Sequence, residues 1–300
     1  MAQTSHLRKV AVVVGASSGI GAVTADRLAG AGWTVIGTAR RFSRDENRQD
    51  VSAPASQTPN AMPGANAAAR LPRGRWEKLP MDVTDQASVD AGISEIMRRH
   101  GRIDALVQCA GFAIAGSIED VSPEEAERQF AVNYFGAVRL IRAAAPIMRA
   151  QGGGRIVVVG SIGGLIALPF LGHYSASKFA IDGMVEALRY EVQPFGIHVS
   201  AVHPGDIRTE FPASQEEAGS AGTGSPYFER FRATVDLYDK LVAEARGPEV
   251  IARAIEKLLN QKKPPVRVSA GTFIERAGVS LKSVLPQHWF EAMIRQHYRL

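Results

Sequence analysis

A single cysteine in 300 residues, Cys109, leaves no partner for an intramolecular disulfide and no thiolate cluster for a structural metal. That scarcity fits a reducing compartment, and no metal site is expected. Long apolar runs are missing too. The opening stretch MAQTSHLRK is polar, and the run Val10 to Val14 behind it is far too short for a signal peptide or a membrane span, so the expectation is a cytoplasmic protein with no integral membrane segment. Nor is there an excess of one charge. Thirty-five Lys and Arg stand against 30 Asp and Glu, interspersed rather than gathered into a basic stripe, which argues against nucleic acid as a partner. No internal repeat is found.

What the chain does have is 45% hydrophobic residues, ample for an extensive core. Val10 to Val14 and Thr34 to Ala39 read as strands around an Ala/Leu helix that ends near Gly30 and Gly32, which makes a βαβ unit. Further strands are expected at Trp76 to Met81, Ile103 to Gln108, Arg155 to Gly160, Ile197 to Val202 and Val266 to Ser269. Amphipathic stretches lie between most of them. In Asp85 to His100, Val89, Ile93, Ile96 and Met97 fall on one face. Ser122-Pro123-Glu124-Glu125 carries the signature of a capping box, and Gly247-Pro248-Glu249 opens a late helix. Such alternation predicts an α/β fold: one domain over residues 1–300, built on a doubly wound parallel sheet flanked by helices. Two stretches break the pattern. Residues 42–73, with Pro54, Pro59, Pro63 and Pro72, read as a flexible insertion with at most one short helix near Ala65 to Arg70. Residues 211–240 begin with a glycine-rich stretch beside Phe211, Tyr227 and Phe228, which reads either as a substrate flap or as a plain surface loop.

Directly after the first strand comes Gly15-Ala16-Ser17-Ser18-Gly19-Ile20-Gly21, opening a helix. Glycines allow a sharp turn and close approach of backbone to a pyrophosphate, and the first helical amides supply the positive end an anion needs. In that position the turn predicts a Rossmann-like dinucleotide site. At the end of the second strand there is no carboxylate to accept the ribose hydroxyls of NAD. Thr38-Ala39-Arg40-Arg41 instead offers two guanidinium groups for a 2′-phosphate, so NADP(H) is the expected cofactor.

Tyr174 and Lys178 are four apart in His173-Tyr174-Ser175-Ala176-Ser177-Lys178 and emerge on one helix face. A phenol of pKa about 10 is a poor acid–base catalyst near neutrality, and an adjacent ammonium favours its phenolate. With the glycine turn, this pair resembles the short-chain dehydrogenase/reductase family, and the run Glu186 to Gly196 with the tail Leu285 to Phe290 looks like its 17β-hydroxysteroid and retinol dehydrogenase-like branch. Ser161 falls thirteen residues before the tyrosine, where the family has its catalytic serine. Asn133 in Asn133-Tyr134-Phe135-Gly136 matches the family's asparagine in a long helix, Asp82-Val83 its adenine-contacting pair, and Pro204-Gly205-Asp206-Ile207-Arg208-Thr209 its nicotinamide-side motif, with Ile207 and Thr209 toward the carboxamide. The resemblance spans about residues 7 to 40 and 75 to 270.

The resemblance implies that Tyr174 exchanges a proton with the substrate oxygen and Ser161 hydrogen-bonds that oxygen. Lys178 lowers the tyrosine pKa and binds the nicotinamide ribose, while Asn133 holds a water leading from Lys178 to solvent. The dinucleotide would rest on Gly15, Ser17, Ser18, Gly19, Ile20, Gly21, Arg40, Arg41, Asp82, Val83, Ala110, Gly111, Asn133, Tyr174, Lys178, Pro204, Gly205, Ile207 and Thr209. One departure is Gln108-Cys109-Ala110-Gly111 where the family has Asn-Asn-Ala-Gly; Cys109 reads as a buried filler. Phe112, Ile162, Leu165, Leu168, Phe170, Phe211 and Phe228 are candidates for an apolar substrate wall or ordinary core. The branch implies a small hydrophobic carbonyl or alcohol substrate, with carbonyl reduction favoured, and a homodimer or homotetramer formed through the helices around Glu124 to Ala150 and Ser175 to Gln193. Two other readings stay open. One is a catalytically silent protein that binds NADPH to regulate a partner; the other is a nucleotide-sugar epimerase, against which the Gly-x-x-x-Gly-x-Gly spacing argues.

Overall fold

The computed structural model describes residues 8–42, 76–208, 215–298 and 300. Thr209, Phe211 and all but the first residue of the expected 42–73 insertion lie outside them. Every residue of β1 (Val10–Val14) is buried, as an unbroken β-branched run requires when a strand is covered on both faces. β1 pairs in parallel with β2 (Thr34–Ala39) on one side and β4 (Ala105–Gln108) on the other. With β3 (Glu77–Pro80), β6 (Gly154–Val159), β7 (Ile197–Pro204) and β9 (Arg267–Ala270), the sheet runs β3-β2-β1-β4-β6-β7-β9, all parallel. Strand order therefore reverses between β1 and β4, and a crevice opens at their C-terminal ends.

Alternate residues of the strands feed two cores. On one face Ala11, Val13, Val35, Val107 and Val157 pack against Leu28 of α1 (Gly19–Gly30) and Ile251, Ile255 and Leu258 of α7 (Glu249–Asn260). An ion pair of 2.6 Å between Arg27 and Glu256 joins those two helices. On the other face Val10, Val12, Leu106, Ile156 and Val158 meet α2 (Gln86–His100), α4 (Phe135–Ala150) and α5 (Gly172–Val192) through Ile93, Leu140 and Ile181. Burying each such side chain stabilises the fold by roughly 1.5–3 kcal/mol before chain entropy is counted.

The helix boundaries follow their caps. The Asp85 carboxylate accepts the amides of Ala87 and Ser88 to start α2, and Gly101, at φ +69°, ends it. Ser122 and Glu125 form the expected capping box at the start of α3 (Pro123–Asn133). The single long helix expected from Glu124 to Ala150 is instead two, interrupted at Tyr134. The break leaves Asn133 at the end of α3, where its amide turns to the backbone of Phe112.

A third core lies beyond the sheet's C-terminal edge. It gathers β5 (Ala113–Ala115), the paired strand β8 (Gln215–Glu217), α6 (Phe228–Glu244) and α9 (Gln287–Tyr298) around Phe231 and Tyr238. Between α7 and α9 runs α8 (Phe273–Lys282). The expected flap is thus strand at 215–217 and helix from 228 onward. Among the described residues no helix is long and apolar enough to cross a membrane, and no group of three metal-ligating side chains occurs.

Candidate active site

The crevice between β1 and β4 is closed from below by two glycines. Gly15 has φ +81°, and a Cβ there would stand 2.7 Å from the backbone nitrogen of Ala110. At Gly21 a Cβ would stand 2.2 Å from the carbonyl oxygen of Gly15. The amides of Gly15 and Ala16 both donate to the Thr38 carbonyl, at 2.8 and 3.0 Å, which ties the turn to the end of β2. Gly19 also takes positive φ, +52°, and Ile20 packs inward beneath it. Ser18 is the N-cap of α1 but makes no side-chain cap bond, so no cap side chain occupies the first amides of the helix. A cradle with no room for side chains and open amide donors fits a pyrophosphate. At its rim the Arg41 guanidinium donates to the Ser17 carbonyl, while Arg40 is exposed beside Asp82 along a groove of about 790 Å³.

The Asp82 carboxylate accepts from the amide and hydroxyl of Thr84, at 2.9 and 2.7 Å through one oxygen. Val83 lies beneath Gly136, where a Cβ would come within 2.9 Å of its methyl, and the Val83 carbonyl accepts from Arg139. Gly111 follows at the end of β4. A Cβ there would lie 3.1 Å from Oδ1 of Asn133 and 3.4 Å from Nζ of Lys178, so the loop after β4, the end of α3 and α5 meet at one bare backbone position.

Ser161, Tyr174 and Lys178 converge. Ser161 is held in extended backbone after β6, its Oγ accepting the Gly163 amide at 3.0 Å. It hydrogen-bonds the Tyr174 hydroxyl. Nζ of Lys178 donates to the Val159 carbonyl at 3.0 Å and stands 5.7 Å from the centre of the Tyr174 ring. Burial pushes the Tyr174 phenol up to about 12, opposed by the Ser161 hydrogen bond, and burial brings the Lys178 ammonium down to about 8. Lys178 thus lies over the ring face, and the interaction opposing burial at the phenol is that with Ser161. Asn133 braces the loop after β4, with Oδ1 accepting the Phe112 amide and Nδ2 donating to the Phe112 carbonyl and to Ser177, each at 3.0 Å.

After β7, Pro204 ends the strand buried and Ile207 is buried next to a bridge with Arg246. The carboxylate of Glu275 lies against Gly205: it accepts the Asp206 amide at 2.6 Å and closes the α8 capping box at Thr272. Burial, with the Glu275 charge beside it, lifts Asp206 to about 6. Of the candidate substrate wall, Leu168 and Phe170 pack with Tyr174 in the third core, and Phe112 lies under the Arg128 guanidinium. A cavity of about 360 Å³ opens between Ile118, Pro169, Phe170, Tyr227, Arg230 and Arg295.

Three supports were not foreseen in the sequence. His203, fully buried, places Nδ1 2.9 Å from the Ser161 carbonyl and Nε2 3.2 Å from Asp182, and Arg267 binds the same carboxylate. Gly160 is required there, since a Cβ would stand 2.8 Å from the imidazole. Glu275 is the second. Gln108 is the third: its amide nitrogen donates to the Ala110 carbonyl at 3.0 Å, and its oxygen accepts the Ala110 amide at 2.5 Å. Their advance signals were a polar residue inside a β-branched strand for His203, a Thr-x-x-Glu capping pattern for Glu275 and the departure from Asn-Asn for Gln108, none of which points to the contact made.

Comparison with known proteins agrees with this geometry. The family described as short chain dehydrogenase matches residues 9–219. A 3-ketodihydrosphingosine reductase from Bacteroides thetaiotaomicron is 32% identical over 97% of this chain and 98% of its own. The human 17-beta-hydroxysteroid dehydrogenase type 1 is 34% identical over 87% of this chain and 76% of its own. Among solved structures, a short-chain dehydrogenase from Streptomyces avermitilis superposes with a TM-score of 0.75 at 32% identity, covering 95% of this chain and 94% of that one. A metagenomic short-chain oxidoreductase in complex with NADP gives 0.63 at 26% identity, over 88% and 96%.

Proposed function

The chain belongs to the short-chain dehydrogenase family, and from that premise we propose that it is an NADPH-dependent reductase of hydrophobic ketones or aldehydes. The observation that carries this reading is the contact of Ser161 with the Tyr174 hydroxyl, with Lys178 and Gly111 beside them at the mouth of the glycine cradle. A bound reduced nicotinamide would supply the hydride. Tyr174 gives its proton to the carbonyl oxygen. Burial holds the phenol in its neutral, proton-donating form. Ser161, now bonded to the phenol, can turn its hydroxyl to the substrate oxygen and steady the charge that develops there. Lys178 is within reach of a ribose at Gly111, and Asn133 fixes the Phe112 backbone that shapes that edge.

NADPH is favoured over NADH by the position of Arg41 on the rim of the turn, by exposed Arg40, and by the lack of a carboxylate at the end of β2. Support for a hydrophobic substrate comes from Leu168 and Phe170, which share a core with the catalytic tyrosine. We assign the chain to one domain and to the cytoplasm, and expect a homodimer or homotetramer through α4 and α5, which expose Phe135 and Tyr190. The test is a spectrophotometric screen of steroid, retinoid, aliphatic and aromatic carbonyls with NADPH and with NADH, run beside Tyr174→Phe. Turnover should fall by about 10²–10⁴ in the variant with NADPH affinity nearly intact. Equal turnover by the variant would overturn the assignment.

A further inference from the structure

The first 260 residues are electrically balanced. Residues 261–300 hold seven Lys and Arg against two Glu, which is the whole of the chain's formal excess of +5. One of those two acids, Glu275, is turned inward to Gly205 and Asp206. Of the cations, Arg267 is paired with Asp182 and Glu186 and Lys282 binds the Leu165 carbonyl, whereas Lys262, Lys263, Arg276 and Arg295 are exposed with no acidic partner among the described residues.

The same segment carries a large exposed apolar surface. Phe273 and Ile274 are each 78% exposed and Val284 74%, with Leu281 also exposed. The helical turn of α8 continues past Lys282, with the Leu285 amide donating to the Leu281 carbonyl at 2.8 Å. At 3.6 residues per turn, positions 273, 274, 277, 281 and 284 fall in one stripe about 100° wide. The opposite side holds the groups that dock α8 on the protein, Glu275 at Gly205 and Lys282 at Leu165 and over the Phe179 ring. The helix is therefore anchored by one face and offers the other, apolar and flanked by Arg276, outward.

We propose that this face of α8 lies on anionic lipid bilayers, with the apolar stripe inserted at the interface, Arg276 beside it set against the headgroups, and the net positive charge of residues 261–300 adding to the attraction. A helix lying in the interface takes this pairing of an apolar face with basic flanks. A second copy of the chain is disfavoured as the occupant, because a two-fold contact through this face would bring one basic segment against another. The inference does not depend on the reductase reading.

The experiment is flotation of the full chain with vesicles of phosphatidylcholine alone, or of equal parts phosphatidylcholine and phosphatidylserine, at low and high salt. Binding should be at least about tenfold tighter to the anionic vesicles and should weaken with salt. Combined Phe273→Ser, Ile274→Ser and Val284→Ser, at positions about three-quarters exposed, should weaken it by about tenfold or more. Their melting temperature, and NADPH oxidation with any water-soluble carbonyl turned over, should be unchanged. Three results would overturn the proposal: no binding to either vesicle, binding indifferent to the three substitutions, or a concentration-dependent dimer in sedimentation that the substitutions dissolve.

Discussion

Gly15 and Gly32 share nearly the same backbone, φ +81° and +88°, yet differ in what surrounds them. A Cβ at Gly32 meets nothing within 4 Å, whereas at Gly15 it meets the backbone of Ala110 at 2.7 Å, and that atom belongs to the loop leaving the central strand β4. Replacing either by Ala incurs the left-handed strain of an L-residue, about 1–2 kcal/mol. Only Gly15→Ala adds overpacking between two buried strands, about 1–3 kcal/mol more, because backbone cannot rotate away as a side-chain end could. The sum at Gly15 is about 2–5 kcal/mol against about 1–2 at Gly32. At roughly 2–4 °C per kcal/mol, thermal unfolding should separate the two variants clearly. Affinity provides a sharper reading. Any relaxation at Gly15 moves the turn where a pyrophosphate would rest, so fluorescence titration with NADPH should show a loss of at least about tenfold for Gly15→Ala and none for Gly32→Ala. Equal melting shifts together with unchanged affinity in both would refute the claim that β1 and β4 meet too closely here for a methyl group.

Arg41→Ala removes the guanidinium that touches the Ser17 carbonyl; the ratio of kcat/KM with NADPH to that with NADH should fall by about tenfold or more, and a constant ratio would assign the 2′-phosphate elsewhere. Asp182 bears on acid stability. Burial raises its carboxyl, but hydrogen bonds and charge from His203 and Arg267 outweigh that and hold it at about 2, below its ordinary 3.8. A depressed carboxylate stabilises the fold above its unfolded pKa and loses that contribution as pH falls through the folded one. Asp182→Asn should therefore cost about 1–2 kcal/mol at pH 7 and flatten the loss of stability between about pH 4 and 2, measured by urea unfolding across that range. A parallel acid limb in the variant would show that the cluster is stabilised otherwise.

How much of this was legible depends on the range over which each signal acts. Val10–Val14, Thr34–Ala39 and the Ser122 capping box are written in adjacent residues, and the structure reproduces them with the same bounds. Tyr174 and Lys178 were marked by their spacing and Ser161 by the family resemblance, and they come together because β6 and α5 share one crossover. What escaped is non-local. The three-residue strands β5 and β8 carry no periodicity, and they exist because 102 residues of separation are spanned by pairing Ala113 with Gln215. Glu275 was readable only as a helix-capping carboxylate, since its second bond goes to an amide 69 residues away. The interruption at Tyr134 was also hidden: Gly136 is the only weak helix former in Phe135-Gly136-Ala137, no proline stands there, and the packing of Gly136 on Val83 is tertiary.

The departure at Gln108-Cys109 bears most directly on whether the site is competent. Without the two asparagines expected there, β4 could end without the side-chain bonds that fix its last peptides, and a silent nucleotide-binding protein would tolerate that. Gln108 is instead almost fully buried and grips both the amide and the carbonyl of Ala110, so its extra methylene lets one side chain close a ring on its own strand end. Cys109 continues the ladder through its amide to the Val14 carbonyl at 2.9 Å, and burial pushes its thiol up to about 12, so it stays neutral beside Lys178 and does not draw the ammonium from Val159. Backbone support is preserved by different side chains, and the position of Gly111 against Asn133 and Lys178 follows from it. A protein that only sensed a dinucleotide would have no need of a fixed Gly111 edge, a Ser161 contact on the phenol and a His203 brace behind Ser161; their joint presence is what supports the proposed catalysis at Tyr174.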